Sequence, residues 1–254
     1  MNTSSGNGLR APAVPGRFKL AASAIVSLLV VSLSADPVTI LVRGGAARPF
    51  FDEEDIRMAR EDLSVQIMPE KALVSADFVL VNESAYPKEV LVGFPQIRYH
   101  QTPTAKLADM TFQVDAQPVP VSLLDPDPAP IEGHAPPLPK INSWYVARLW
   151  FKGKQEVRLT IRYSHEHGGG IYGPFFTYLL ATAAGWKGNV AEINVRVALG
   201  EGVPDLQEDR TGPGGYHYDA TSRTATWQFR DYAGDPGVFT VYWRRPPDSG
   251  AASR

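Results

Sequence analysis

Strict alternation of apolar and polar residues dominates this chain and restricts it to sheet architectures. In QEVRLTIRY (155–163) the apolar positions are Val157, Leu159, Ile161 and Tyr163, and the polar ones are Arg158, Thr160 and Arg162. Because successive side chains of a strand point to opposite faces, this pattern predicts a strand with one buried and one solvated face. EINVRVAL (192–199) and ADFVLVN (76–82) repeat the pattern.

Further strand candidates are more apolar and are separated by Gly, Pro, Asn and Asp. They are KEVLVGF (88–94), MTFQVDA (110–116), SWYVARLWF (143–151), TATWQFR (224–230) and VFTVYW (238–243). The stretch FQVDAQPVPV (112–121) predicts a tight hairpin that reverses between Asp115 and Gln117. The run FFTYLLATAAGW (175–186) is compatible with a buried helix or a strand, and alternation at Phe176 and Tyr178 favours the strand. Many short strands with almost no helical periodicity predict an all-β fold, an antiparallel β-sandwich.

One discontinuity interrupts the strand pattern. DPDPAPIEGHAPPLPK (125–140) holds six prolines in sixteen residues, which cannot donate the hydrogen bonds of a central strand. We therefore predict a loop or polyproline linker at 125–140 between an N-terminal β domain (36–124) and a C-terminal β domain (141–245). One continuous sandwich across both halves is the alternative. The polar end, 246–254, is predicted to be a disordered tail.

The N-terminal segment predicts export. Its first 35 residues contain Arg10, Arg17 and Lys19, no acidic residue, and an apolar run from Leu20 to Ala35. A basic start before a short apolar run is typical of a secretory signal peptide, here 1–35, and an uncleaved anchor is the alternative. The run is shorter than the roughly 20 apolar residues of a membrane-spanning helix. The predicted location is periplasmic or secreted, with no membrane span after cleavage.

Composition and motifs exclude several classes of function. Without the three basic leader residues, 22 basic residues stand against 27 acidic ones, a net charge of about −5 that disfavours nucleic acid and anionic lipid as partners. The absence of Cys excludes disulfides and a Cys nucleophile. The sequence has no G-x-S-x-G, H-E-x-x-H, Walker or G-x-G-x-x-G motif in a suitable setting. We therefore expect a protein that is not an enzyme and that needs no cofactor.

Two separated groups of short motifs resemble a secreted bacterial family known only as a domain of unknown function. The first group is Ile56, Met58, Glu61, Asp62, Leu63, Asn82, Phe94 and Pro95, and the second is Leu180, Thr182, Trp186 and Gly188. In motif form they read I-x-M-x-x-E-D-L, a strand ending in Asn, a strand closing with F-P, and L-x-T-x-x-x-W-x-G. The resemblance spans roughly 36–199 and implies a periplasmic or secreted all-β protein without assigned catalytic residues.

SHEHGGG (164–170) contains the strongest candidate metal ligands, His165 and His167. Zinc bound by imidazole needs at least a third protein ligand, for which His217, His100 or a carboxylate are candidates. Strand parity from Val157 places both histidines on the apolar face and Glu166 on the other, which weakens a His-Glu-His site. A core rim is the preferred interpretation, and a metal-dependent hydrolase using His165 and His167 is the alternative function.

Two further clusters have a functional and a structural interpretation. Acidic residues at 52–55 together with Glu61 and Asp62 suggest calcium, but they lack the Gly and the spacing of a calcium loop, so a solvated strand edge is favoured. The aromatic residues of 143–151 suggest a carbohydrate face, but both strand faces are mainly apolar, which favours core packing. Arg148, the odd residue there, is expected to form an inter-strand ion pair.

These observations predict an exported, non-enzymatic binding module or an envelope-associated structural component. Its partner is an unidentified protein or envelope component, and the proline-rich segment 125–140 is the predicted partner surface, because a preformed polyproline segment loses little entropy on binding. We predict no catalytic, cofactor-binding or metal-binding residue.

Overall fold

The computed structural model describes residues 47–49, 54–97, 107–124, 141–170, 172–235 and 237–244. All of these residues belong to one compact unit, Val38–Arg254. The predicted signal peptide, the proline-rich segment 125–140 and the predicted tail 246–254 lie outside the described residues. Within the described part, no helix is both long and apolar enough to cross a membrane.

Strands account for most of the described residues. In chain order they are β1 (Arg48–Pro49), β2 (Ile56–Ile67), β3 (Lys71–Asn82), β4 (Lys88–Ile97), β5 (Ala108–Val114), β6 (Gln117–Val119), β7 (Ser122–Leu124), β8 (Ile141–Phe151), β9 (Glu156–Glu166), β10 (Gly168–Gly170), β11 (Gly173–Leu179), β12 (Val190–Leu199), β13 (His217–Asp219), β14 (Thr224–Tyr232) and β15 (Val238–Tyr242). A 3-10 helix, Leu180–Gly185, follows β11 directly. The predicted all-β fold is confirmed, and 175–186 is a strand that continues into this short helix.

The strands form three sheets around a common core. The largest has the order β13-β14-β12-β2-β3-β9-β5-β6, and the two smaller ones have the orders β1-β4-β8-β7 and β10-β11-β15. Side chains from all three sheets meet in one hydrophobic cluster. Phe94 of β4, for example, packs against Tyr163 of β9 with ring centroids 5.2 Å apart, and Phe239 of β15 packs against Trp227 of β14 at 4.6 Å. The eight-stranded sheet therefore forms one layer of a sandwich, and the smaller sheets form the other.

The two predicted domains form one continuous sandwich rather than two packed units. Strand β2 pairs with β12, and β3 pairs with β9, so strands from both sides of 125–140 alternate in the same sheet. In the second layer, β4 pairs with β8 in the same way. The β2–β12 pairing is parallel, which corrects the expectation of a purely antiparallel sandwich. A parallel pair requires a long crossover, and sequence alternation does not reveal strand direction.

Strand faces follow the predicted parity where the alternation is regular. Val157, Leu159, Ile161 and Tyr163 of β9 are buried, as are Ile193, Val195, Val197 and Leu199 of β12. The predicted hairpin is also confirmed: β5 and β6 pair across Asp115 and Ala116, both with positive φ angles of 49° and 65°. Left-handed backbone at both central residues is the geometry of a tight two-residue hairpin turn.

A β-bulge in β2 changes which residues face the core. The register against β3 shifts between Met58 and Arg60, leaving Ala59 without a partner. Before the bulge the buried residues, Ile56 and Met58, have even numbers. After it the buried residues, Glu61 and Leu63, have odd numbers. One extra residue in one strand reverses its alternation. The bulge thus turns Glu61 into the core.

The buried side chain of Asn82, at the end of β3, forms hydrogen bonds with two loops. Its Nδ2 donates to the carbonyls of Tyr86 at 2.8 Å and Lys152 at 3.0 Å, and its Oδ1 accepts from the backbone N–H of Ser84 at 2.9 Å. The side chain is fully buried. Asn82 therefore holds the β3–β4 connection against the β8–β9 turn.

Candidate functional site

The outer face of the eight-stranded sheet carries an ordered arrangement of polar side chains. The strand register aligns seven of them in one row that crosses seven strands, in the order His217, Thr226, Arg196, Ser64, Ser75, Arg162 and Thr111. We call this the arginine–serine row. A second row beside it contains Gln228, Asn194, Asp62, Asp77 and Thr160, and we call it the amide–acid row. Neither row is evident in the sequence, because its members come from distant strands.

A groove lies over these two rows. Its volume is about 610 Å³, and polar residues of both rows line it, among them Asp62, Asp77, Asn194, Arg196, His217 and Gln228. Ser64 lines this groove and also a neighbouring cavity of about 350 Å³, to which Ser75, Asp109 and Arg162 contribute. We call the two together the sheet groove. Because Ser64 lines both, the two cavities adjoin at β2.

Hydrogen bonds fix the amide–acid row in place. Asn194 Nδ2 donates to Asp62 Oδ1 at 2.9 Å, and Gln228 Nε2 donates to Asn194 Oδ1 at 3.2 Å. At the other end, Thr160 Oγ1 donates to Asp77 Oδ1 at 2.6 Å. These bonds hold the floor of the groove in one conformation, which reduces the entropy lost when a ligand binds.

Strand β2, which contributes Asp62 to the groove, carries a buried carboxyl on its opposite face. Glu61 has no solvent-exposed surface, and its Oε1 accepts a hydrogen bond of 2.8 Å from the Tyr178 hydroxyl. Its second oxygen, Oε2, has no hydrogen-bond partner among the described residues, and neither has the buried hydroxyl of Tyr163. Burial raises the pKa of Glu61 to about 8; the Tyr178 hydrogen bond opposes this shift, and the negative charge of Asp62 adds to it. Glu61 is therefore mostly protonated at neutral pH.

The calcium interpretation of the acidic residues fails on geometry. Glu61 and Asp62 point to opposite faces of β2, so they cannot share an ion. The favoured alternative, a solvated strand edge, is also wrong for them, because β2 lies between β12 and β3 inside the sheet. Asp55 instead pairs with Lys88 at 2.7 Å, and residues 52 and 53 lie outside the described part.

The two histidines lie where the strand parity places them. His165 is buried, and its ring stacks on Phe176 with centroids 5.3 Å apart. Its Nδ1 donates to the Glu166 carbonyl at 2.6 Å, and Nε2 of His167 donates to the Met68 carbonyl at 2.6 Å. A carbonyl oxygen can only accept, so each of these two ring nitrogens carries a proton. No three His, Asp or Glu side chains group as a possible metal site within the described ranges.

The aromatic residues of β8 divide between core and surface. Trp144 and Phe151 are fully buried, as core packing predicts, but Trp150 is 61% exposed. The prediction was wrong for Trp150 because the end of its strand face is open to solvent. Arg148 forms the expected inter-strand ion pair, with its Nη1 2.6 Å from Glu89 Oε1.

Comparisons with known proteins identify the fold but no family. No protein-family model matches the chain, and no curated protein matches its sequence. Among solved structures, it is similar to a presumed nutrient-binding protein of Legionella pneumophila, with a TM-score of 0.63 and 14% identity over 79% of this chain and 70% of that one. At this identity the likeness shows a shared fold alone. An M1 zinc metallopeptidase of Deinococcus radiodurans matches with a TM-score of only 0.35 and 9% identity, over 71% of this chain and 40% of the peptidase. This similarity is too low to support any inference about the present chain.

The sheet groove and Glu61 are the two features that the sequence did not reveal. The only available signal for Glu61 was its shared parity with Leu63, Val65 and Ile67. For the groove, each strand showed its polar positions correctly, but the register between strands decides which of them become neighbours.

Proposed function

We propose that this chain is an exported, non-enzymatic binding module that holds a small polar ligand in the sheet groove. The observation that carries the proposal is the groove of about 610 Å³ over hydrogen-bonded amide and carboxylate side chains. Its volume lies within the roughly 300–1,000 Å³ of small-molecule sites. The resemblance in fold to a presumed nutrient-binding protein supports a binding role.

The polar character of the groove defines its ligand as polar. Side chains with donors (Asn194, Arg196, Gln228) and with acceptors (Asp62, Asp77) both line the groove. In the free protein these donors and acceptors form hydrogen bonds with water, and a ligand must replace those bonds. A ligand with several donors and acceptors of its own, placed to match, can do so. No catalytic role is proposed, because the two histidines that the sequence offered form backbone hydrogen bonds away from the groove.

Filling the groove is expected to abolish binding. In Ser64→Trp the indole would occupy the point where the two cavities meet, and Ser64 is exposed, so the fold should tolerate the change. A thermal-shift screen of sugars, amino acids, carboxylates and phosphates against the wild type should yield a stabilising compound that no longer stabilises Ser64→Trp. Ser122→Trp, at an exposed serine of β7 in the other layer, is the matched control and should respond like the wild type. A hit that stabilises all three proteins equally would place the ligand elsewhere and contradict the proposal.

Export is part of the same proposal. It is motivated by the basic start and apolar run of 1–35 and by the resemblance to a secreted bacterial family, membership of which remains a prediction. N-terminal sequencing of the protein recovered from a bacterial periplasm or culture medium is expected to give a start at Asp36. An intact leader on protein that stays in the cytoplasm would rule export out.

A further inference from the structure

Two arginines of the sheet groove differ from the other arginines of its sheet face. Arg60, Arg158 and Arg230 on that face each form an ion pair, with Asp62, Asp77 and Glu192 respectively. Among the described residues, Arg162 donates only to the neutral side chain of Gln113, at 3.1 Å, and Arg196 has no side-chain partner. Both side chains are exposed. The groove therefore presents two arginines that form no ion pair with a described residue.

The register brings these two cations to the same segment of the groove. Arg196 of β12 pairs with Ser64, Ser64 pairs with Ser75, and Ser75 pairs with Arg162 of β9. Three strand spacings of about 4.8 Å separate the two arginine backbones, about 14 Å in all. Two short serine side chains form the floor between them, so each long arginine side chain can lean inward over a hydroxyl.

The acidic side chains of the adjacent row do not cancel this charge. Asp62 binds Asn194 and pairs with Arg60 at 2.9 Å, and Asp77 binds Thr160 and lies 3.4 Å from Arg158. Asp109, in the smaller cavity, accepts from the neutral Ser164 hydroxyl at 3.0 Å and forms no ion pair with Arg162. The two carboxylates of the amide–acid row are therefore paired with arginines other than Arg162 and Arg196.

We propose that the sheet groove binds a small anionic ligand, whose carboxylate, phosphate or sulfate group lies over Ser64 and Ser75 between Arg162 and Arg196. This inference rests on the proposed function and specifies the class of its ligand. Guanidinium groups match the geometry of these oxyanions with paired hydrogen bonds, and serine hydroxyls add further donors. The remaining polar groups of the groove, from Asp62 to Gln228, recognise the uncharged part of the ligand.

Side-chain NMR of the two arginines tests this assignment. Inorganic phosphate, sulfate and succinate are titrated to millimolar concentration into the mature chain, and succinamide serves as the uncharged match of succinate. We expect the Nε–Hε signals of Arg162 and Arg196 to shift with at least one anion and not with succinamide. The dissociation constant for that anion should rise about tenfold in Arg196→Gln and in Arg162→Gln. It should also rise with sodium chloride concentration.

A matched control is Arg230→Gln, which removes an exposed arginine from the same sheet face outside the arginine–serine row. It should leave the dissociation constant unchanged. If no anion shifts either arginine signal, or if Arg230→Gln weakens binding as much as Arg196→Gln, the inference is wrong. A neutral compound that binds in a Ser64-dependent manner, unaffected by both arginine variants, would overturn the ligand class and leave the proposed function standing.

Discussion

Replacing Glu61 with glutamine is expected to remove a large pH-dependent contribution to the stability of this protein, one that acts between pH 4.5 and about 8. Burial raises the pKa of Glu61 to about 8 from an ordinary value of 4.5. Between these values the folded chain holds a proton that the unfolded chain has released, so the free energy of unfolding falls as pH rises. At about 1.4 kcal/mol per pH unit, the fall amounts to about 5 kcal/mol across the interval. Below pH 4.5 the contribution is fully present, and above pH 8 it is lost.

Glutamine reproduces the shape of the protonated carboxyl and can still accept from the Tyr178 hydroxyl, but it does not ionise. Urea unfolding at a series of pH values, for the wild type and Glu61→Gln, should give curves that diverge as pH rises from 4.5 to 8, with the variant the more stable at pH 8. Ser64→Ala, on the outer face of the same strand, removes no charge and serves as the control; its curve should run parallel to that of the wild type. Parallel curves for wild type and Glu61→Gln would show that Glu61 ionises in the folded protein as it does in water.

Replacing Asn82 with alanine is expected to destabilise the fold by about 3 kcal/mol, because three hydrogen bonds of a buried side chain are lost together. The change leaves the carbonyls of Tyr86 and Lys152 and the N–H of Ser84 without their partner. Both connections that Asn82 holds, β3–β4 and β8–β9, should then become more mobile. Urea unfolding measures the loss of stability, and amide hydrogen exchange should report faster opening of these two loops.

Asn189→Ala is the matched control for Asn82. The Asn189 side chain is exposed and donates to Asp231 Oδ1 at 2.9 Å, so its removal should cost only a few tenths of a kcal/mol. If both asparagine variants lost the same stability, the buried network would contribute no more than a surface hydrogen bond. Faster exchange throughout the protein, rather than in the two loops, would show that Asn82 has no local role.

Local patterns in the sequence determine the all-β class and the faces of β9 and β12. In each strand every second residue is apolar over four positions, and all four of these residues are buried. The hairpin turn at Asp115 was predicted from its neighbouring residues in the same way. These features were predictable because neighbouring residues alone decide them.

The features that define the candidate site are not local, and this explains why the sequence did not predict them. The parity of Ile56 and Met58 assigns Glu61 to solvent, whereas the parity of Leu63 assigns it to the core, and only the bulge at Ala59 decides between them. Likewise, nothing near Ser64 in the sequence indicates that Arg196 becomes its neighbour. That neighbour relation depends on the parallel pairing of β2 with β12.

The same argument applies to the domain organisation. A segment with six prolines in sixteen residues between two sets of strands is as compatible with a linker between domains as with a connection within one sandwich. Strand pairing decides the question, since β2 and β3 from before this segment lie between β12 and β9 from after it. A strand inserted between two others shares their hydrogen bonds and their core, so the halves are not expected to fold separately.

The location of the bound ligand is the most direct test of the central claim that the sheet groove is the binding site. Backbone amide shifts of the mature chain, recorded with the best stabilising compound of the thermal-shift screen, would map that location. We predict that the largest shifts fall on Ser64, Ser75, Asn194 and Arg196. Largest shifts on the opposite layer, for example around Trp150 and Arg148, would contradict the claim.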